Sequence, residues 1–226
     1  MTVELLNMDC MDYLRECPDK SFDLAIVDPP YGIGLGFSAE HSFKGTKTKG
    51  HEQKTWNNQI PSSEYFEQLY RVSKNQIIWG CNYFGSNIKD VGRIVFNKKP
   101  TPFISSSYSH ADLASCSMQK RITLFEFQWS GNVQGGVMNT NGRECPDRGL
   151  EKRIHPTQKP VKLYQWLLDN YAEKGQRILD THLGSGSSAI AAHYFGCDFV
   201  GIELDKDYYD AACKRFDQMT RQEVLF

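Results

Sequence analysis

No stretch of this chain is apolar for eighteen residues in a row, and its opening residues, Met1-Thr2-Val3-Glu4, carry no basic region followed by an apolar run. Neither a membrane span nor a secretory leader is indicated, and the expected location is the cytoplasm. Cysteine is sparse and scattered. The seven residues (Cys10, Cys17, Cys81, Cys116, Cys145, Cys197, Cys213) form no C-x-x-C pair, which supports neither a zinc site nor a disulfide framework, so no metal is expected. Repeats and low-complexity tracts are also missing. The formal net charge is only -1, and that balance does not by itself suggest a nucleic-acid binder.

The even balance hides an uneven distribution. Residues 1–30 carry seven acids against Arg15 and Lys20, whereas residues 89–121 carry six bases against Asp90 and Asp112. A further six bases against three acids fall in 143–162. A basic middle of the chain could face phosphates or be ordinary solvated charge. With 226 residues, 40% of them hydrophobic, the chain can bury one good core, and a single domain over 1–226 is expected. Short apolar runs alternate with amphipathic helical patterns. Strands are expected at 3–6, 22–28, 76–79, 92–96, 122–129, 177–180 and 198–203. Helices are expected after Asp9, after Ser62, over 161–171 and 187–195, and after Asp205. This alternation calls for an α/β fold with a mostly parallel sheet. The segment 32–60, with four glycines in its first half, reads as a long mobile loop that orders on a partner, and 130–153 as a shorter one.

Two stretches carry chemistry. Phe22-Asp23-Leu24-Ala25-Ile26-Val27 reads as a buried strand that stops at Asp28-Pro29-Pro30-Tyr31. Neither proline can donate to a sheet ladder, so the chain must leave the sheet with an acid, a free carbonyl and an aromatic ring close together. Taken alone, Asp28 could equally cap a turn while Tyr31 packs on the rim. The second stretch, Gly184-Ser185-Gly186-Ser187-Ser188-Ala189, matches G-x-G-x-x-A after the strand ending at Asp180, and Glu203 ends the next strand. Such a strand, turn, helix and strand unit suits a nucleotide. The glycines let backbone approach a ligand, the helix N-terminus favours an anion, and Glu203 is placed to accept from ribose hydroxyls.

Together with His155-Pro156-Thr157-Gln158-Lys159-Pro160 and the turn Asn7-Met8-Asp9-Cys10, these segments resemble the DNA amino-methyltransferases that use S-adenosylmethionine. Asp28-Pro29-Pro30-Tyr31 comes first and the glycine loop about 150 residues later, which is similar to the circularly permuted, β-class order of that Rossmann-like family. The resemblance implies a catalytic segment made of Asp28, Pro29, Pro30 and Tyr31. It also implies a cofactor site that includes Asp28 and in which Asp180, Gly184, Ser185 and Gly186 line the methionine portion, Glu203 the ribose, Asp9 the adenine amino group, and Thr157 and Lys159 the carboxylate. One departure stands out: the family's D-P-F is Asp180-Thr181-His182 here, and His182 is either a surface residue or one that stacks on the cofactor.

The implied activity is methyl transfer to the N6 amino group of adenine in double-stranded DNA, with the base turned out of the helix and stacked on Tyr31. Asp at the first motif position favours adenine over the N4 of cytosine. RNA or protein methylation, or an NAD-binding module, are the rival readings. The two loops would contact DNA, with Lys44, Lys47, Lys49, Arg143, Arg148 and Arg153 as phosphate or base contacts and 130–153 as a short target-recognition segment. A homodimer, or a separate restriction or specificity subunit, is left open.

Overall fold

The computed structural model describes residues 1–33, 59–98, 109–130, 133–134 and 151–221. Most of the expected loops 32–60 and 130–153 lies outside the described residues, as do Lys44, Lys47, Lys49, Arg143 and Arg148.

The chain opens with β1 (Val3–Asn7), α1 (Cys10–Glu16) and β2 (Phe22–Val27), and continues with α2 (Ser63–Val72) and β3 (Ser73–Trp79). Then come β4 (Gly92–Asn97), β5 (Ala111–Cys116), β6 (Ile122–Glu126) and the short pair β7 (Trp129–Ser130) and β8 (Val133–Gln134). α3 (Val161–Tyr171), β9 (Arg177–Asp180), α4 (Ser187–Phe195), β10 (Asp198–Glu203) and α5 (Lys206–Thr220) complete it. The helices begin where side-chain oxygens can satisfy free amides. Asp9 accepts from the N–H of Met11 at 2.8 Å, Ser62 from Tyr65, and Asp205 from Asp207 and Tyr208.

Eight strands form one sheet in the order β1-β10-β9-β2-β3-β5-β4-β6. The first five run parallel, β5 is antiparallel to both its neighbours, and β4 pairs parallel with β6. Side chains alternate between two buried layers, as the pleat requires. Leu24, Ile26, Ile178 and Phe199 face α3, α4 and α5. Ala25, Val27, Leu179 and Val200 face α1 and α2. Coverage of both faces explains why β2, β9 and β10 read as continuous apolar runs rather than alternating ones.

The structure departs from the sequence reading in three places. β5 was not expected; Ala111-Asp112-Leu113-Ala114-Ser115-Cys116 has little β-propensity, and its buried side chains are small. The expected strand 122–129 ends at Glu126 and resumes at Trp129 in the separate pair β7 and β8. Pro160, whose fixed φ suits the first turn of a helix, stands one residue earlier, at the N-cap of α3. It brings no side-chain acceptor of its own, and the carboxylate of Glu151 accepts instead from the N–H of Val161 at 2.9 Å.

Candidate active site

From β9 the chain crosses through α4 to β10 on one side of the sheet, and from β2 it crosses through α2 to β3 on the other. Because β9 and β2 are neighbours, a crevice opens between their carboxyl ends, the place where open α/β sheets bind ligands. Asp28 and Asp180 stand there, one after the last residue of β2 and the other at the last residue of β9.

At the β2 end, Tyr31 donates its hydroxyl to Oδ1 of Asp28. Burial and the adjacent carboxylate push the Tyr31 hydroxyl well above the usual phenol range, so it is a neutral donor. The ammonium of Lys159 lies 2.5 Å from Oδ2 of Asp28 and 3.2 Å from the Tyr31 oxygen. Tyr31 lies flat on Gly80, where a Cβ would come within 2.1 Å of the ring. That position also has φ +72°, so two independent reasons demand glycine there. Tyr83 stacks on Tyr31 with ring centroids 5.1 Å apart and an interplanar angle of 13°.

At the β9 and β10 ends the acids are turned toward their own loops. Asp180 is 1% exposed and accepts from the Ser188 hydroxyl at 2.6 Å and from the His182 amide at 3.1 Å. Burial raises its pKa to about 7. Glu203 accepts from the amides of Gly184 at 2.8 Å and Asp205 at 2.9 Å, fixing the glycine turn against the end of β10. The Asn7 side chain ties β1 to the carbonyls of Glu203 and Leu204. His182 points its ring edge at Tyr65, 5.4 Å between centroids, and shares a 2.9 Å hydrogen bond with Thr181, which bonds the Tyr65 hydroxyl at 2.7 Å. Burial lowers the His182 pKa to about 4, so the ring is neutral at pH 7.

Between these halves lies a cavity of about 360 Å³, within the range of small-molecule sites. Of the residues singled out from sequence, Asp9, Asp28, Pro30, Thr157, Lys159, His182, Gly184, Ser185 and Glu203 line it. Pro29, Tyr31, Asp180 and Gly186 are not among its lining residues; Asp180 lies beneath the loop and Gly186 is the N-cap of α4. The cavity also takes Leu183, Leu204 and Tyr208, which no sequence argument chooses, and His155, which the sequence offers only as the first residue of the His155–Pro160 motif. Their positions offered a signal: Leu204 follows Glu203 directly, Tyr208 lies in the first turn of α5, and the rings of His155 and Tyr208 meet at 4.3 Å. Carboxylates at both ends and apolar side chains between them match a ligand that combines a cation, a ribose diol and a purine, and S-adenosylmethionine has that composition. Among the described residues no group of three or more His, Cys, Asp or Glu side chains is placed to hold a metal ion.

These features define a doubly wound α/β protein with a nucleotide-type crevice at its switch point. The chain belongs to the DNA methylase family of N6-adenine and N4-cytosine methyltransferases, whose family model matches residues 95–214, just over half of the sequence. It is similar to the type II methyltransferase M2.MboI of Moraxella bovis, 25% identical over 239 residues that span 94% of this chain and 86% of that protein. Among solved structures it is similar in fold to the M1.HpyAVI–SAM complex, with TM-score 0.55 and 18% identity over 95% of this chain and 100% of that one. It is likewise similar to the cytosine-N4-specific PvuII DNA methyltransferase, with TM-score 0.57 and 11% identity over 98% and 91% of the two chains.

Proposed function

We propose that this protein transfers a methyl group from S-adenosylmethionine to the N6 amino group of adenine in duplex DNA. The observation that carries the reading is Asp28, held at the carboxyl end of β2 on the rim of the cavity, with the glycine turn forming the opposite wall. The bound cofactor supplies an electrophilic methyl group on a sulfonium.

The amine of adenine is a poor nucleophile because its lone pair is delocalised into the ring. If Asp28 and the carbonyl of Pro29 each accept one amine hydrogen, the lone pair localises and points at the methyl group. These acceptors then meet positive charge that develops on nitrogen only in the transition state, where such contacts raise the rate. The N–C bond forms as the S–C bond breaks, sulfur keeps the bonding pair, and the nitrogen sheds its proton to solvent. A base inside a duplex cannot reach Asp28, so it must be turned out. Tyr31 offers it a stacking face, and Tyr83, 42% exposed, would swing aside to admit it. Base–aromatic stacking of this kind is worth about 1–3 kcal/mol.

A second reading, methylation at the N4 of cytosine, uses the same acceptors and is favoured by the fold shared with the cytosine-N4-specific PvuII enzyme. Tritiated S-adenosylmethionine, unmethylated duplex DNA and digestion to nucleosides separate the two. Label in N6-methyladenine is expected. Label in N4-methylcytosine moves the base assignment, and DNA that stays unlabelled while the cofactor binds overturns DNA as the substrate.

A further inference from the structure

We propose that Lys159 is a positioning residue for methyl transfer, a fixed counter-ion that holds Asp28 and Tyr31 in their working geometry rather than a ligand for the cofactor's carboxylate. This rests on the reading of Asp28 as the acceptor for the target amine. The ammonium has three donors. One meets Oδ2 of Asp28 at 2.5 Å and another the Tyr31 oxygen at 3.2 Å, while Tyr31 itself donates to Oδ1. Residues 28, 31 and 159 thereby close a ring of three groups, two from the end of β2 and one from a segment 131 positions away. The Lys159 side chain is only 4% exposed and that of Asp28 15%, so the open side of the pair belongs to the carboxylate.

The surroundings of the ammonium point the same way. The Trp79 and Tyr31 rings lie 5.2 and 5.7 Å from it, and aromatic faces attract a cation at such distances. The preceding residue is anchored, because the Gln158 carbonyl accepts from the Trp129 indole at 2.7 Å and the Gln158 side chain accepts from the Ile154 amide at 3.0 Å. A lysine delivered from so rigid a segment has little reach. Were it to leave for a ligand carboxylate, Asp28 would lose the ammonium that now bonds its Oδ2 while its side chain stays only 15% exposed, a costly change for a carboxylate with little access to water. Among the described residues, the other ionisable neighbours that face Asp28 are Tyr31, Tyr164 from α3, Asp180 from β9 and His182. None of them is a cation at neutral pH, since burial keeps the phenols and the imidazole neutral. Among the described residues, Lys159 is therefore the counter-ion of this corner.

A residue that fixes the acceptor and a residue that binds the cofactor leave different kinetic traces. Lys159→Met and Lys159→Arg are compared with wild type by calorimetric titration with S-adenosylmethionine and by the single-turnover rate of label transfer to unmethylated genomic DNA at saturating cofactor. In Lys159→Met the rate is expected to fall about 100-fold, the penalty typical of a misplaced reacting group, while the cofactor Kd stays within about threefold of wild type. Lys159→Arg, which keeps the charge, should regain about tenfold of that rate. A cofactor Kd raised tenfold or more in either variant, with the saturated rate kept, would overturn the proposal and return Lys159 to the cofactor's carboxylate. Should Lys159→Met not fold, Lys159→Arg decides by the same two numbers. Wild-type protein that binds cofactor but labels no DNA would instead defeat the methyltransferase reading itself, so the two failures are distinguishable.

Discussion

The two ends of the crevice are built on opposite plans. Among the described residues, the carboxylates of Asp180 and Glu203 bond to amides and a hydroxyl of their own or the adjoining strand-to-helix turn, at separations of two, eight and nineteen residues. Around Asp28 one partner is three residues away and the other, Lys159, comes from the far side of the sequence. The first plan makes a rigid cradle whose acids are largely spent on backbone. The second leaves an acid with a cation behind it and an open face toward the cavity. On the function proposed above, the contrast is a division of labour: one end shapes the place for the cofactor, and the other holds the acceptor for the target amine.

The largest expected effect breaks the cradle from outside. Arg215 of α5 donates to the Ser185 carbonyl at 2.8 Å and the Ser187 hydroxyl at 2.9 Å, and pairs with Glu151 at 2.6 Å. Arg215 is buried, and Glu151, buried on one side, also caps α3. Arg215→Met strands the carboxylate and is expected to cost about 3–5 kcal/mol in urea unfolding, with a weaker cofactor Kd because the glycine turn loses its brace. A loss within experimental error of zero would show that the pair contributes nothing to the cradle. Asp28→Ala sharpens the comparison from the other side. It should lower methyl transfer by about 10²–10³-fold, the usual cost of removing one transition-state acceptor or donor, and leave cofactor Kd within a few-fold. If Kd rises in step with the loss of rate, the two ends do not divide the work.

The same contrast decides what the sequence reveals. The boundaries of α4 and β10 match the sequence reading residue for residue, because a glycine turn, a small-residue helix and a flanking acid are all local signals. The Asp28 corner is legible as a site through its two prolines, but its geometry is not. Lys159 reads as a cofactor ligand only by resemblance, and nothing near it in sequence announces Asp28 as its partner. Glu151 and Arg215 are hidden for the same reason, being 64 positions apart. β5 escapes notice because its stability comes from pairing with β3 and β4 and from the Lys98–Asp112 bond at 2.7 Å, not from its own apolar pattern. That pair occupies Lys98, but because Asp112 is already one of the two acids counted in 89–121 it leaves the basic excess of that stretch unchanged. Arg153 likewise lies over the Trp129 ring at 4.8 Å.

The smallest effect concerns pH and tests the cradle alone. Asp180, buried, and His182, two residues on and partly buried, are shifted in opposite directions, from 3.8 to about 7 and from 6.5 to about 4. Between about pH 4 and 6.5 the folded protein keeps a proton on Asp180 that the unfolded chain has released. Over the same interval it lacks on His182 a proton that the unfolded chain has bound. Stability follows the difference in bound protons. The Asp180 contribution is therefore full below pH 3.8 and lost as pH rises toward 7, whereas that of His182 is full above pH 6.5 and lost as pH falls toward 4. In wild type the two slopes oppose each other. Asp180→Asn, whose amide can still serve the His182 amide while the Ser188 hydroxyl turns to accept, leaves the His182 slope alone. Its stability relative to wild type should rise between pH 4.5 and 6.5, by at most about 1.4 kcal/mol per pH unit. His182→Phe leaves the Asp180 slope alone, and its stability relative to wild type should fall over the same range. Urea unfolding of the three proteins at pH 4.5, 5.5 and 6.5 reads both differences, and because other titrating groups are common to all three, they cancel. Parallel stability curves would mean that neither residue changes its protonation on folding, and the cradle would then owe its form to hydrogen bonds alone.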